Sequence, residues 1–135
     1  MWQAGRGSLA LVATIVLAGG LAGATLAARP PSPSERRAIL AGAEPVFARV
    51  TAACGRTVVR VSTVDSAYAS VSVRWRKPAG KTCKILPFSG TDLVARRAGR
   101  WQFLVNDASG SVRCDYLKRQ RVPRAVSREL LGARC

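Results

Sequence analysis

The chain has 135 residues, 22 Lys or Arg against 7 Asp or Glu, a formal net charge of +15, four cysteines and no histidine. The length suits one domain with a modest core, and the excess of base attracts polyanions. Without histidine, Ser-His-Asp and Cys-His nucleophile systems are excluded, as is every His-ligated zinc or haem site.

Met1 to Ser8 carries one positive side chain, Arg6, and Leu9 to Ala28 is uncharged over 20 residues. That order predicts a secretory signal. Ala22-Gly23-Ala24 and Thr25-Leu26-Ala27 supply small residues for a peptidase, with cleavage expected after Ala27. Residues 1–27 are then the signal peptide. The alternative is a membrane anchor over residues 9–28, since 20 helical residues at roughly 1.5 Å each span a bilayer core. Against the anchor, the second half is mostly Gly and Ala, and Arg29, Arg36 and Arg37 lie on the wrong side for a cytoplasmic N-terminus.

Residues 28–34 form a stiff Pro-rich linker, and residues 35–135 form the domain. Ser32 as N-cap, Pro33 at the first helical position and Glu35 three residues after the cap make a capping box. Ile39, Leu40, Ala43, Val46, Phe47 and Val50 recur at helical spacing, and Pro45 should stop or kink the helix near Ala43. Thr57 to Val64 reads as a strand and Asp65-Ser66 as a turn. Ala67, Ala69, Val71, Val73 and Trp75 then alternate with Tyr68, Ser70, Ser72, Arg74 and Arg76, which completes a hairpin with one apolar face.

Lys77 to Lys81 reads as a loop, and Cys83 to Phe88 as a short strand or extended edge segment. A second hairpin joins Leu93–Arg96 to Trp101–Val105 through residues 97–100, with Trp101, Phe103 and Val105 on one face. Asn106 to Gly110 is a turn. Pro123 opens a last helix with Val126, Leu130 and Leu131 as its stripe and Gly132 as its stop. The predicted class is α+β: a curved antiparallel sheet of about four strands, with an N-terminal and a C-terminal helix packed on one side of it.

Cys54, Cys83, Cys114 and Cys135 are an even set in a small exported domain, which predicts two disulfides. The cysteines are spread too widely for a zinc site built on close pairs. Three pairings are open. Cys54–Cys83 with Cys114–Cys135 is favoured, each bond removing about 3.5 kcal/mol of unfolded-chain entropy in the simple loop model.

Ser32-x-x-Glu35-Arg36-x-Ala38-Ile39, Val61 to Asp65 with Tyr68-Ala69, Gly99-Arg100-Trp101, Val122-Pro123, Glu129-Leu130 and the four cysteines together resemble a group of small secreted four-Cys proteins from high-GC actinobacteria. The resemblance covers most of the mature chain and implies export and a four-Cys scaffold, with no assigned activity. In outline the domain is similar to cystatin-like and NTF2-like folds, which licenses no function.

Three basic constellations are candidates for anion binding. The first is Arg74, Arg76 and Lys77, with Tyr68 alongside. The second is Arg96, Arg97 and Arg100 at the tip of the second hairpin, where guanidiniums could fork onto phosphate or carboxylate. The third is Lys118, Arg119, Arg121 and Arg124, four charges that repel unless an anion is near. No G-x-S-x-G, S-x-x-K or Gly-rich phosphate loop is present, so no catalytic residue, metal or cofactor is assigned. The expected function is an exported, non-catalytic basic module that associates with an anionic envelope polymer or lipid surface, or with an envelope protein. The alternatives are an extracellular inhibitor inserting a rigid loop (77–82 or 96–100) into a cleft, and a hydrolase using two of the seven carboxylates. Nucleic acid fits the charge and conflicts with export.

Overall fold

A computed structural model describes residues 27–76, 83, 90–107 and 114–135. The expected signal peptide up to residue 26, the loop 77–81, the extended segment 84–88 and residues 108–110 of the expected turn lie outside the described residues.

Helix α1 spans Pro33–Gly42 and starts on the expected capping box: the Ser32 hydroxyl accepts from the Glu35 N–H, and the Glu35 carboxylate accepts from the Ser32 N–H. The guanidinium of Arg29 grips the same carboxylate at 2.9 Å through both nitrogens. Its backbone pairs with Val61 in both directions, at 2.9 and 2.8 Å. The Pro-rich segment is thereby seated against the sheet. Pro45 cannot donate to the preceding turn, so α1 ends and a 3-10 turn, Pro45–Arg49, begins at the proline.

Strands β1 (Gly55–Val61), β2 (Tyr68–Trp75), β3 (Thr91–Arg97) and β4 (Arg100–Asp107) form an antiparallel sheet in the order β1-β2-β3-β4. Both hairpins are present. In the first, Asp65 Oδ1 accepts from the Ala67 N–H at 2.9 Å and closes the turn. In the second, Ala98 and Gly99 take φ of 50° and 76°. Positive φ at both positions marks the two-residue turn that suits strand twist, so β3 runs on to Arg97 and β4 starts at Arg100.

Helices cover both faces of the sheet, not one. Ile39, Ala43 and Phe47 pack on Val59, Val61, Ala69, Val71 and Val94 from one side. From the other, α2 (Cys114–Arg119) and α3 (Arg124–Leu131) bring Leu117, Val126 and Leu130 onto Leu93, Ala95 and Leu104. The cause lies in β3, where Leu93, Val94 and Ala95 are consecutive and all buried. A strand covered on both faces carries a continuous apolar run.

The expected shared face of Trp101, Phe103 and Val105 is also corrected. A register shift opposite Leu93 and Val94 makes Leu104 an extra residue in β4. Such a bulge turns the following side chains to the other face. Trp101 therefore joins the first core, Leu104 and Val105 join the second, and Phe103 remains 42% exposed.

α2 has no counterpart in the expected elements. With six residues it is too short to show a periodic stripe. Its end is built by the Arg121 N–H on Lys118 O and the Val122 N–H on Leu117 O, both at 3.0 Å, with Arg121 at φ 57°. This is a Schellman closure with arginine where glycine is usual. Pro123 then precedes α3, which stops at Gly132, as its sequence signals predict.

Disulfides join Cys54 to Cys83 and Cys114 to Cys135, with Cα separations of 5.3 and 5.5 Å. The second fastens the end of the chain to the start of α2. Two disulfides indicate an oxidising environment. Among the described residues no helix is long and apolar enough to cross a membrane.

Candidate anion-binding surface

The acidic residues are mostly absorbed by local structure. Glu35 serves the capping box, and the Arg29 guanidinium holds its carboxyl below the ordinary range. Glu44 precedes the 3-10 turn. Asp65 closes the first hairpin, and Asp115 pairs with Arg119 one turn on at 3.0 Å. Asp107 ends β4 opposite Thr91. Asp92 is fully buried and accepts from Asn106 Nδ2 at 2.8 Å and the Glu44 N–H at 3.0 Å. Burial pushes its carboxyl up against those two bonds.

Glu129 on α3 reaches back to the first hairpin, accepting from the Ser62 hydroxyl, from Thr63 Oγ1 at 2.6 Å and from the Thr63 N–H at 3.0 Å. Burial works against its charge, but these hydrogen bonds prevail and leave the carboxyl below the ordinary range. A glycosidase needs two carboxylates facing one cleft. Of the clefts bounded by described residues, those set out below hold a single acid, Asp115.

Five residues from three parts of the chain surround one cleft of about 470 Å³: Tyr68, Arg97, Arg119, Gln120 and Arg121. Each is placed for a definable reason. Arg97 ends β3 on the α2–α3 face, and its guanidinium donates to Gln120 O at 2.6 Å and Gln120 Oε1 at 3.2 Å. It thereby caps the exposed carbonyl end of α2. The Tyr68 hydroxyl donates to Arg121 O at 3.2 Å. Arg119 lies over the Tyr116 ring at 5.9 Å to the centroid. Arg121 holds a left-handed backbone, and its side chain is exposed. Arg121 also borders a second cleft, of about 370 Å³, with Lys118, Arg124 and Ser127 beside the Cys114–Cys135 bond.

The third sequence constellation is thus brought together, around two adjoining clefts that share Arg121. The second is dispersed. Arg97 joins the cleft just described, Arg96 lies over the Trp101 ring at 5.8 Å on the α1 face, and Arg100 is exposed at the tip. Alternation along β3 forces that split, since neighbouring strand residues face opposite ways. In the first constellation, Arg74 and Arg76 border a cleft with Trp75, Gly55, Ala52 and Arg56. Lys77 lies outside the described residues. Tyr68 does not stand beside Arg74, because it begins β2 while Arg74 sits near its other end.

No protein-family model, curated protein or solved structure matches the chain. Many of the residues on which the expected resemblance to secreted four-Cys proteins rests have structural roles here. Ser32 and Glu35 cap α1, Ser62 and Thr63 are held by Glu129, and the cysteines pair. Gly42, close to that motif, touches the backbone of Trp101.

Proposed function

We propose that this protein is an exported, non-catalytic module that associates with the anionic cell envelope through the α2–α3 side of its domain. The observation that carries the reading is the convergence of Arg97, Arg119 and Arg121 on one cleft, from elements distant in sequence. Arginine suits such a role because its planar fork engages phosphate and carboxylate oxygens in pairs. Arg121 adds a second argument. A non-glycine residue held at positive φ costs free energy, and such strain concentrates where a side chain is needed. Export is supported by the two disulfides and by the uncharged leader ahead of the domain.

Co-sedimentation of the oxidised domain with cell-wall sacculi, anionic vesicles and neutral vesicles, at low and high salt, tests the reading. Binding to an anionic target that falls steeply with salt supports it. Equal binding to neutral vesicles, or no binding to any target, sinks it.

A further inference from the structure

The register of the first hairpin sets Arg56 on β1 directly opposite Arg74 on β2. Both side chains are exposed. Like charges directly opposite in a sheet repel each other. Neither guanidinium has a hydrogen-bond or ion-pair partner among the described residues. Among the described residues the ion pairs are Arg29 with Glu35 and Arg119 with Asp115, and no carboxylate pairs with either arginine of this hairpin. Arg76 and the half-buried Trp75 complete the walls of the cleft, about 340 Å³ in volume, that the two arginines border.

Position on the sheet gives this pair its meaning. Arg56 and Arg74 alternate with residues of the first core, so they share the face that carries Tyr68, Leu93 and Ala95. That is the face covered by α2 and α3. Tyr68, at the start of β2, marks the Arg97–Arg121 cleft, and Arg74 lies six residues further along the same strand. At about 3.3 Å per residue the two basic sites stand roughly 20 Å apart.

We propose that Arg56, Arg74 and Arg76 form a second oxyanion site, and that one linear phosphate polymer spans it and the Arg97–Arg121 cleft together. The spanning rests on the envelope reading above; the second site does not. Paired strands fix the backbone positions of the two arginines before the ligand arrives, and a bound phosphate removes the repulsion between their guanidiniums. Two sites on one chain convert the second contact into an intramolecular one, which raises affinity well beyond either site alone.

The test measures affinity for triphosphate and for polyphosphate chains longer than 20 Å, by calorimetry at fixed salt. The proteins are wild type, Arg56→Gln with Arg74→Gln, Arg119→Gln with Arg121→Gln, and a control pair with equal charge loss, Arg37→Gln with Arg49→Gln. Wild type is expected to prefer the long chain over triphosphate by about 100-fold. Either site variant should abolish that preference, and the control should keep it. A thermal midpoint measured at low salt confirms folding, and Arg56→Gln alone should raise it by about 2 °C.

If Arg56→Gln with Arg74→Gln binds both ligands as the control does, the second site is overturned. If those substitutions weaken triphosphate binding but wild type shows no preference for length, spanning is overturned and the second site stands. If only the Arg119 and Arg121 substitutions are silent, the α2–α3 cleft fails and the second site stands alone. A lipid headgroup ligand would show no dependence on chain length.

Discussion

Glu129→Gln tests the tie between α3 and the first hairpin. Ser62 is buried, and its hydroxyl oxygen already accepts from the Val64 and Asp65 N–H groups at 3.1 and 3.2 Å. Both lone pairs are used, so its proton must go to Glu129. Thr63 presents two more donors to the same carboxylate. A glutamine offers one acceptor oxygen and turns an N–H2 group toward donors. Losing charge-assisted bonds and leaving a buried hydroxyl unsatisfied costs about 2 kcal/mol, or a fall of roughly 8 °C in the thermal midpoint for a domain of this size. Urea unfolding should show a lower midpoint at unchanged slope. The carboxyl titrates lower in the folded state than in the unfolded chain. Its contribution is therefore complete above the ordinary glutamate range and lost as pH falls through the lowered folded value. The gap between wild type and variant should accordingly close in acid. A variant within about 0.5 kcal/mol of wild type at neutral pH, or a gap that stays constant in acid, would refute the reasoning.

Arg121→Gly and Arg121→Ala remove the same charge but differ in backbone strain, so the glycine variant should be more stable by about 1 kcal/mol in urea unfolding; equal stability would dismiss the strain. Gly42→Ala places a methyl group against the Trp101 backbone, and should cost about 2 kcal/mol by forcing α1 from the sheet, read as a lowered urea midpoint. In a carbon-detected NMR titration, Asp92 should titrate above the ordinary carboxyl range and Glu129 below it. The two shifts act oppositely on stability: the Asp92 contribution falls as pH rises through its raised value, and the Glu129 contribution falls as pH drops. Coincident titrations would contradict both environments.

The elements that could be read from the sequence are those with local causes. The capping box, the break at Pro45, the two hairpins and the Gly132 stop each rest on a few adjacent residues. The two-sided sheet was only partly legible: the apolar run Leu93-Val94-Ala95 stands in the sequence, but what covers its second face includes one extra residue in β4 and a helix of six residues. The bulge at Leu104 leaves no mark in the composition of β4, whose aromatic and aliphatic residues suit either face.

Sites assembled between strands were only partly legible. Face alone grouped Tyr68 with Arg74, but a strand face runs the length of the strand, and the two stand at opposite ends of β2. Arg56 belongs to none of the three sequence constellations. Its partner follows from the hairpin register, since a turn centred on Asp65 sets Arg56 opposite Arg74. Gln120 carries no charge to mark it, and its role as the partner of Arg97 appears only once α2 is in place.

The central claim is that the charge is organised at the α2–α3 cleft and is not a general property of the surface. The direct measurement is the salt dependence of binding to sacculi for Arg119→Gln with Arg121→Gln, compared with Arg37→Gln with Arg49→Gln. Each pair removes two positive charges, and all four side chains are exposed. An organised site predicts about tenfold weaker binding and a shallower salt slope for the Arg119 and Arg121 pair alone. Equal losses from both pairs would contradict the account, because they would make the net charge, and not the cleft, the agent of binding.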